Sequence, residues 1–314
     1  MLRFFTRKIL IFVFSLFFVT SLTFFLMKSI PGDPFLQEKF IPKEILDSLR
    51  AHYGLDQPLL IQYGKYMKGI VTWNLGPSFV YEGRTVNEII GEGFPVSALL
   101  GLEALFLSLF FGILFGSIAA MKKGSKTDHF FSIFALIGIS VPSFLLATLL
   151  QYLFALKLGL FPIARWGTFL HTVLPAFALA AMPTAFIAKL VRVNLIEVLQ
   201  QDYIKMAYAK GLSSVQIVMR HALRNAMLPV LAYLGPLMAQ ILTGSFVVEK
   251  IFGIPGLGQW LILSISNRDY TLILGLTIFF SFLLMSIIFA IDLVYEWVDP
   301  RIRLNHSSKS RIGE

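Results

Sequence analysis

The chain has 314 residues, of which 56% are hydrophobic and only 14% are charged, and its mean hydropathy is +0.75. Soluble globular domains do not have this composition, so the sequence predicts an all-α protein that crosses a membrane several times. The formal net charge of +9 does not indicate nucleic-acid binding, because Lys and Arg collect in the cytoplasmic loops of membrane proteins. Cysteine is absent, which excludes disulfide bonds and thiolate chemistry.

The first apolar run extends from Ile9 to about Ile30 and follows a short basic segment. It is longer than the apolar core of a signal peptide and has no clear small-x-small cleavage site. Its length of roughly 20 residues matches the hydrocarbon core of a bilayer. We therefore expect residues 1–30 to form an N-terminal segment and a first span that is retained.

Residues 31–94 form the longest polar region and contain no run that could span a membrane. Short helical patterns in it are separated by Gly54 and by the turn at 75–78. We expect a small external subdomain. The sequence leaves open whether this subdomain contacts a ligand or only tethers the first span.

Five further apolar runs are long enough to cross a membrane. They extend from about Pro95 to Met121, Phe130 to Leu156, Thr172 to Val193, Ala226 to Val248 and Thr271 to Trp297. With the first run they predict six transmembrane helices. The region 95–300 is then the membrane core, and the polar residues 301–314 form a tail.

Proline is predicted to distort two of these spans. Pro142, in the segment 140–143, predicts a kink in the third span, because proline lacks a backbone donor and clashes with the preceding turn. Pro175 and Pro183 are expected to interrupt the fourth span. A kink can shape a path through the protein, so Pro142 and Ser143 are candidates for such a path, while a role only in packing stays open.

The distribution of basic residues predicts the orientation. Lys and Arg number 16 in the N-terminal segment, the turn after span 2, the stretch from Lys189 to Arg224 and the tail, against 4 in the short loops on the opposite side. The positive-inside rule therefore places both termini and the loop 194–225 in the cytoplasm.

Within that loop, residues 202–225, which we call the elbow, predict two short helices. The first opens at Asp202, whose carboxylate is expected to cap it, and closes at Lys210-Gly211, where glycine accepts a left-handed conformation. The second opens at Ser213 or Ser214, with Gln216 placed for a capping box. An ordinary basic loop and a surface that docks another protein are both consistent with this composition.

The elbow contains three notable segments: Asp202-Tyr203-Ile204, Ala207-x-Ala209-Lys210-Gly211-Leu212 and Arg220-His221-Ala222-Leu223-Arg224-Asn225. The order of these residues resembles the EAA loop of ABC-transporter permeases, in the dipeptide and oligopeptide branch. Two departures from the general pattern are present: Lys205-Met206-Ala207 replaces Glu-Ala-Ala, and Leu228-Pro229 lies farther downstream than usual, as expected for the peptide branch. Further matches lie at 54–58, 75–78, 253–258, 267–270 and Asp299-Pro300-Arg301.

The resemblance implies the fold of a type I ABC importer permease, B-type subunit, in a bacterial inner membrane, with a cytoplasmic coupling helix between spans 4 and 5. It also implies a second, similar permease subunit, two cytoplasmic ATPases that bind ATP and Mg, and an extracytoplasmic solute-binding protein that delivers peptide. Permeases of the same family for nickel complexes remain an alternative. The residues implied in ATPase coupling are Asp202, Tyr203, Ala207, Ala209, Lys210, Gly211, Leu212, Arg220 and His221.

The sequence carries no pattern for catalysis or for a cofactor. No G-x-x-x-x-G-K-[ST] phosphate loop is present, and the glycines at 253–258 are better interpreted as a tight re-entrant turn. The five histidines are scattered without metal-ligand spacing. We therefore expect a transport subunit without its own ATPase activity, catalytic residues or metal site.

Glu103 is the clearest ionisable residue inside a predicted span, and such residues are functional candidates because they are costly to insert. It is a candidate for the substrate path, with a purely structural carboxyl as the alternative.

An ion-coupled secondary transporter or a channel is the rival function. That class predicts internal repeats and several charges within the spans, and neither pattern is convincing here.

Overall fold

The computed structural model describes residues 2–29, 47–48, 51–52 and 54–298. The predicted motif Asp299-Pro300-Arg301, the tail 301–314 and the whole of 31–46 therefore lie outside the described residues. Within the described ranges the chain is nearly all helical, and the one pairing of extended residues is a bridge between Pro77 and Thr85. The helices are α1 (Leu2–Ser29), α2 (Leu59–Val71), α3 (Val86–Met121), α4 (Lys126–Ser140), α5 (Ser143–Leu150, continued as a π-helix over Gln151–Lys157), α6 (Leu170–Val198), α7 (Asp202–Ala209), α8 (Ser214–Ile217, continued as a π-helix over Val218–Ala222), α9 (Leu223–Ala226), α10 (Leu228–Leu242), α11 (Phe246–Phe252), α12 (Leu257–Ser266) and α13 (Tyr270–Val298).

The apolar helices confirm a multi-span membrane protein. Four single helices are long and apolar enough to cross a bilayer, within α1, α3, α6 and α13, and they coincide with predicted spans 1, 2, 4 and 6. Predicted span 3 corresponds to the bent helix pair α4 with α5. Predicted span 5 overlaps α10, which forms a second bent pair with α8–α9 of the elbow. The pair α11 and α12 also passes the length and composition test, so the described residues hold between four and seven candidate crossings.

The distortion predicted at Pro142 is present, whereas the two predicted in the fourth span are not. At Pro142 the helix is broken and not only kinked, since α4 and α5 are bent by 103° and Val141 and Pro142 are both extended. Pro142 precedes the first turn of α5, where a backbone donor is not needed. Pro175 and Pro183 do not interrupt α6, which continues through both while they are buried against neighbouring helices.

The chain divides into two compact units, Met1–Ser97 with Pro255–Met285, and Ala98–Ile254 with Ser286–Glu314. In the second unit, α3 packs closely against α6 through Gly112 and Gly116, a G-x-x-x-G spacing. A Cβ at Gly116 would lie 2.5 Å from the carbonyl oxygen of Ala188, and one at Gly112 would lie 2.7 Å from Ile187. Small residues at this spacing let membrane helices approach backbone to backbone.

The first unit has its own hydrophobic core. Leu75, Val86 and Ile89 from the N-terminal half pack with Leu257 and Leu276. The described part of region 31–94 therefore shares a core with residues from 255–285, which follow it by almost 200 positions. The boundaries predicted for the external subdomain stay a prediction.

Candidate functional site

The first arm of the elbow is α7, and its end is as predicted. Lys210 follows the last helical residue, and Gly211 has a φ of +81°. The Leu212 amide donates to the carbonyl of Ala207 at 3.3 Å and the Gly211 amide donates to that of Tyr208 at 2.9 Å. These two bonds form a Schellman motif, which satisfies carbonyls at a helix C-terminus and turns the chain sharply.

The start of α7 corrects one prediction. Gln201, not Asp202, holds the N-cap position, and it makes no side-chain capping bond. Asp202 is the first residue of the helix, where its charge favours the helix dipole, and its Oδ1 lies 2.8 Å from the Nζ of Lys205. Both side chains are exposed, so this ion pair contributes little to stability.

The second arm begins with the predicted capping box. The Gln216 amide donates to the Ser213 hydroxyl at 3.4 Å, and the Ser213 amide donates to Oε1 of Gln216 at 3.0 Å. The arm then continues through the π-helical turn to Ala226. The side-chain Nδ2 of Asn225 donates to the hydroxyl of Tyr203 at 2.8 Å and so joins the two arms.

Beneath the elbow lies a small apolar core that fixes it to the ends of α3 and α6. Ile204, Ile217 and Ala222 are completely buried there against Leu195. Ala207 belongs to the same core and is only 7% exposed. The sequence placed Ala207 among the docking residues, whereas in the structure it supports the surface from below.

The outer face of the elbow exposes large apolar side chains beside basic ones. Tyr203, Met206, Tyr208, Val215 and Met219 are between 42% and 65% exposed. Such a patch on a membrane protein's polar loop is typical of a contact with another protein. Of the predicted coupling residues, Leu212 is half-buried, and those that are exposed are Asp202, Tyr203, Ala209, Lys210, Gly211, Arg220 and His221. Val215 and Met219 were missed, although their spacing of four residues places them on one helix face.

The candidate path residues lie on separate elements. Glu103 lies in α3, is half-buried and makes no hydrogen bond or ion pair with the described residues. Pro142 and Ser143 lie at the break between α4 and α5. A cavity of about 620 Å³ in the second unit is lined almost wholly by apolar side chains of α3 to α6, but by none of these three residues.

Sequence reasoning missed a buried carboxylate in the first unit. Asp269 is completely buried and accepts hydrogen bonds from the Ser78 hydroxyl and from the backbone amides of Phe79 (3.2 Å), Val80 (3.4 Å) and Leu272 (3.1 Å). We call these five residues the Asp269 network. The bond to Leu272 also caps α13. Two of the matched segments, 75–78 and 267–270, are thus joined.

The segment between α10 and α13 is less exposed than predicted. Glu249, expected in a polar outer segment, is completely buried in α11. Gly253 ends that helix with a φ of +60°, and α11 and α12 form a sharply bent pair. The interpretation of 253–258 as a tight turn is confirmed.

The fold defines an integral membrane protein that carries an ordered helix pair, the elbow, in a loop between its apolar helices. Residues 112–304 match the family model described as "Binding-protein-dependent transport system inner membrane component", and residues 1–101 match the model for its N-terminal region. The chain is 48% identical to the dipeptide transport system permease protein DppB of Bacillus subtilis (strain 168), over 91% of this chain and 93% of the relative. It is 41% identical to the oligopeptide transport system permease protein OppB of Salmonella typhimurium, over 96% of this chain and 100% of the relative.

Among solved structures, the MetNI methionine ABC transporter in inward-facing conformations matches with a TM-score of 0.54 and 18% identity, over 67% of this chain and 96% of that chain. This likeness shows the type I importer fold. The chain therefore belongs to the family of inner-membrane components of binding-protein-dependent transport systems, and it is a permease subunit. This membership excludes the rival secondary transporter or channel.

Proposed function

We propose that this chain is one of two similar permease subunits of an ATP-driven importer of dipeptides or oligopeptides, to which a solute-binding protein delivers the peptide. The names of the relatives support the substrate class, because the similarity extends over more than nine tenths of the chain. The observation that carries the proposal is the elbow, an ordered helix pair with an exposed apolar and basic face.

In this proposal the elbow docks on one of two cytoplasmic ATPases, which bind ATP and Mg, and this chain hydrolyses nothing. Asp202, Tyr203, Ala209, Lys210, Gly211, Arg220 and His221 form or border the docking face, and Ala207 and Leu212 hold it in shape. The Schellman motif at Gly211, the capping box at Ser213 and the apolar core keep the elbow rigid, so that it can transmit a movement of the ATPase to the membrane helices. ATP binds to the ATPase dimer and not to the permease. It can therefore shift the permease between outward and inward openings only if it binds one state of the dimer more tightly than the other.

The same proposal assigns the rest of the chain. Both termini share the cytoplasmic side with the elbow, the region 31–94 is a periplasmic subdomain, and 95–300 is the permease core with 301–314 as its tail. Glu103, Pro142 and Ser143 are proposed to border the path. A half-buried carboxylate without a partner among the described residues favours a cationic group.

Cysteine crosslinking in the complete complex tests the docking face. Ala209→Cys and Met219→Cys are exposed and are expected to crosslink to an ATPase subunit through short spacers. Ala207→Cys is the matched control, since Ala207 lies two positions before Ala209 on α7 but is only 7% exposed. Equal crosslinking at 207 and 209, or none at 209 and 219, would contradict docking through this face.

Uptake into vesicles tests the function itself. The complete complex with its binding protein should accumulate labelled dipeptides or oligopeptides when ATP is supplied, and vesicles with this chain alone should accumulate none. A ladder of peptides of different length and charge then defines the substrate. Glu103→Gln should lower uptake of cationic peptides more than of neutral ones, whereas accumulation against a gradient by the chain alone would overturn the proposal.

A further inference from the structure

A groove in the second unit combines apolar walls with two cations. It lies between α3, α4 and α6 and has a volume of about 280 Å³. Its walls include Phe115, Phe131, Leu136 and Ile139, and at one side it is lined by Lys189 and Arg192. We call it the basic groove. Neither the elbow nor the candidate path residues line it.

The two cations are not equivalent. Arg192 forms a bidentate ion pair with Asp128 at the start of α4, with Nε at 2.5 Å from Oδ1 and Nη2 at 2.8 Å from Oδ2. That carboxylate also accepts a bond from the Gly124 amide at 2.9 Å, so its acceptor capacity is largely used. Lys189 is exposed and has no ion-pair partner in the described part of the chain.

Other charges at this end of the groove add to the positive field. The turn that leads into α4 carries Lys122, Lys123 and Lys126, and Gly124 of this turn contacts the carboxylate that Arg192 binds. The next carboxylate along α6, Glu197, is eight residues beyond Lys189. The groove therefore has a net positive end that attracts an anion.

Lys189 also lies within a helix that is apolar enough to span the membrane. It is three residues before Arg192, or about 4.5 Å along the axis at 1.5 Å per residue. Arg192 pairs with Asp128 next to the polar turn that precedes α4. A lysine this close to a polar turn extends its amine toward the headgroup region while its methylenes stay in apolar surroundings, and such a position suits a lipid phosphate.

The groove opens beside an apolar face of α4. Phe130, Ile133, Phe134 and Ile137 on that helix are between 51% and 63% exposed. A water-soluble anion would make no favourable contact with these apolar walls. An acyl chain, in contrast, can pack its hydrocarbon against the exposed side chains. One molecule that carries both a phosphate and an acyl chain matches both halves of the groove.

We propose that the basic groove binds an anionic phospholipid, with the phosphate at Lys189 and one acyl chain between Phe131 and Ile139. Basic pockets between transmembrane helices recognise anionic headgroups in this way. The lipid fills the space between α4 and α6 and screens the lysine. The site thereby makes the permease sensitive to the anionic lipid content of its membrane.

Native mass spectrometry of the complete complex, with phosphatidylglycerol or phosphatidylcholine added, tests this site. We expect phosphatidylglycerol to be retained preferentially and Lys189→Gln to lower its affinity about fivefold, the effect of one basic residue near the headgroups. Lys189→Arg should keep the preference. Lys122→Gln is the control: it removes an equal charge from the adjacent turn, but Lys122 does not line the groove, so the loss of affinity should be smaller than in Lys189→Gln.

Blocking the apolar half provides a second variant. Leu136 is 64% exposed, so Leu136→Trp fills the groove without disturbing the core and should also displace phosphatidylglycerol. Three results would each overturn the proposal: equal binding of the two lipids by the wild type, an unchanged preference in Lys189→Gln, or the same loss in Lys122→Gln. Crosslinking of Leu136→Cys to the second permease subunit would show that a protein fills the groove and would also overturn it.

Discussion

The elbow and the Asp269 network differ in the sequence separation and in the burial of their hydrogen bonds. The longest-range hydrogen bond within the elbow joins Asn225 and Tyr203, which are 22 residues apart, and its polar side chains are exposed. In the network, Asp269 binds residues that precede it by 189 to 191 positions, and all its acceptor atoms are buried. The elbow is a local structure that presents a surface, whereas the network is a non-local bond that fixes one backbone segment to another.

The largest effect is expected from Asp269→Ala, which breaks the network. One hydroxyl and three backbone amides lose a buried acceptor, and each unmade buried hydrogen bond costs about 1 to 3 kcal/mol. We expect a loss of more than about 3 kcal/mol of stability, visible as a large fall in the Tm of the detergent-purified chain. Asp269→Asn keeps one acceptor oxygen and should lose less.

The matched control for this prediction comes from the elbow. Asp202 is an acidic residue of the same type, but its side chain is 95% exposed and its one ion pair lies in solvent. Asp202→Ala should therefore leave the Tm unchanged. Similar Tm values for the two alanine variants would show that the Asp269 network does not stabilise the first unit.

A smaller effect is expected from Gly211→Val, which strains the elbow's turn. A Cβ at this position would meet nothing within 4 Å, so the cost is backbone strain at a φ of +81° and not a clash. The left-handed conformation costs about 1 to 2 kcal/mol for a residue with a Cβ. Peptide uptake should be lost while the amount of chain in the membrane is kept.

Gly211→Asn tests whether the effect of the valine variant comes from strain of the left-handed backbone or from the addition of a side chain. Asparagine tolerates the left-handed region better than other residues, so this variant should retain most of the uptake. Equal uptake by the valine variant and the wild type would show that transport does not need the turn at Gly211. If the valine variant were absent from the membrane, Gly211 would be needed for folding and not for transport.

The smallest effect is expected from Ser213→Ala, which removes half of the capping box. Loss of an N-cap hydroxyl costs about 1 kcal/mol, so amide exchange at residues 214–217 should be about fivefold faster by hydrogen-exchange mass spectrometry. Ser214→Ala is the control, because the Ser214 hydroxyl makes no bond to the described residues. Equal exchange in both variants would mean that the buried Ile217 alone holds this arm.

The difference between the two regions also explains which predictions succeeded. The turn at Gly211, the capping box at Ser213 and the spans all depend on residues a few positions apart, so their signals are complete within a short window of sequence. The predicted cap at Asp202 was wrong by one position, because a sequence pattern defines a helix end only to within one or two residues. Similarly, Pro142 indicated a distortion correctly, but the size of the bend was not contained in the local pattern.

The sequence by itself determined that this chain crosses a membrane and that it carries a helix pair at the elbow, since composition, periodicity and local motifs are properties of neighbouring residues. The order of residues in those motifs also carried the resemblance to binding-protein-dependent permeases, which the comparison with relatives confirmed. Only the tertiary structure decided that Ala207 is buried and that Asp269 binds Ser78. It also decided that Lys189 and Arg192 border an apolar groove. These facts depend on which distant segments pack together, and burial is a property of that packing and not of any residue alone.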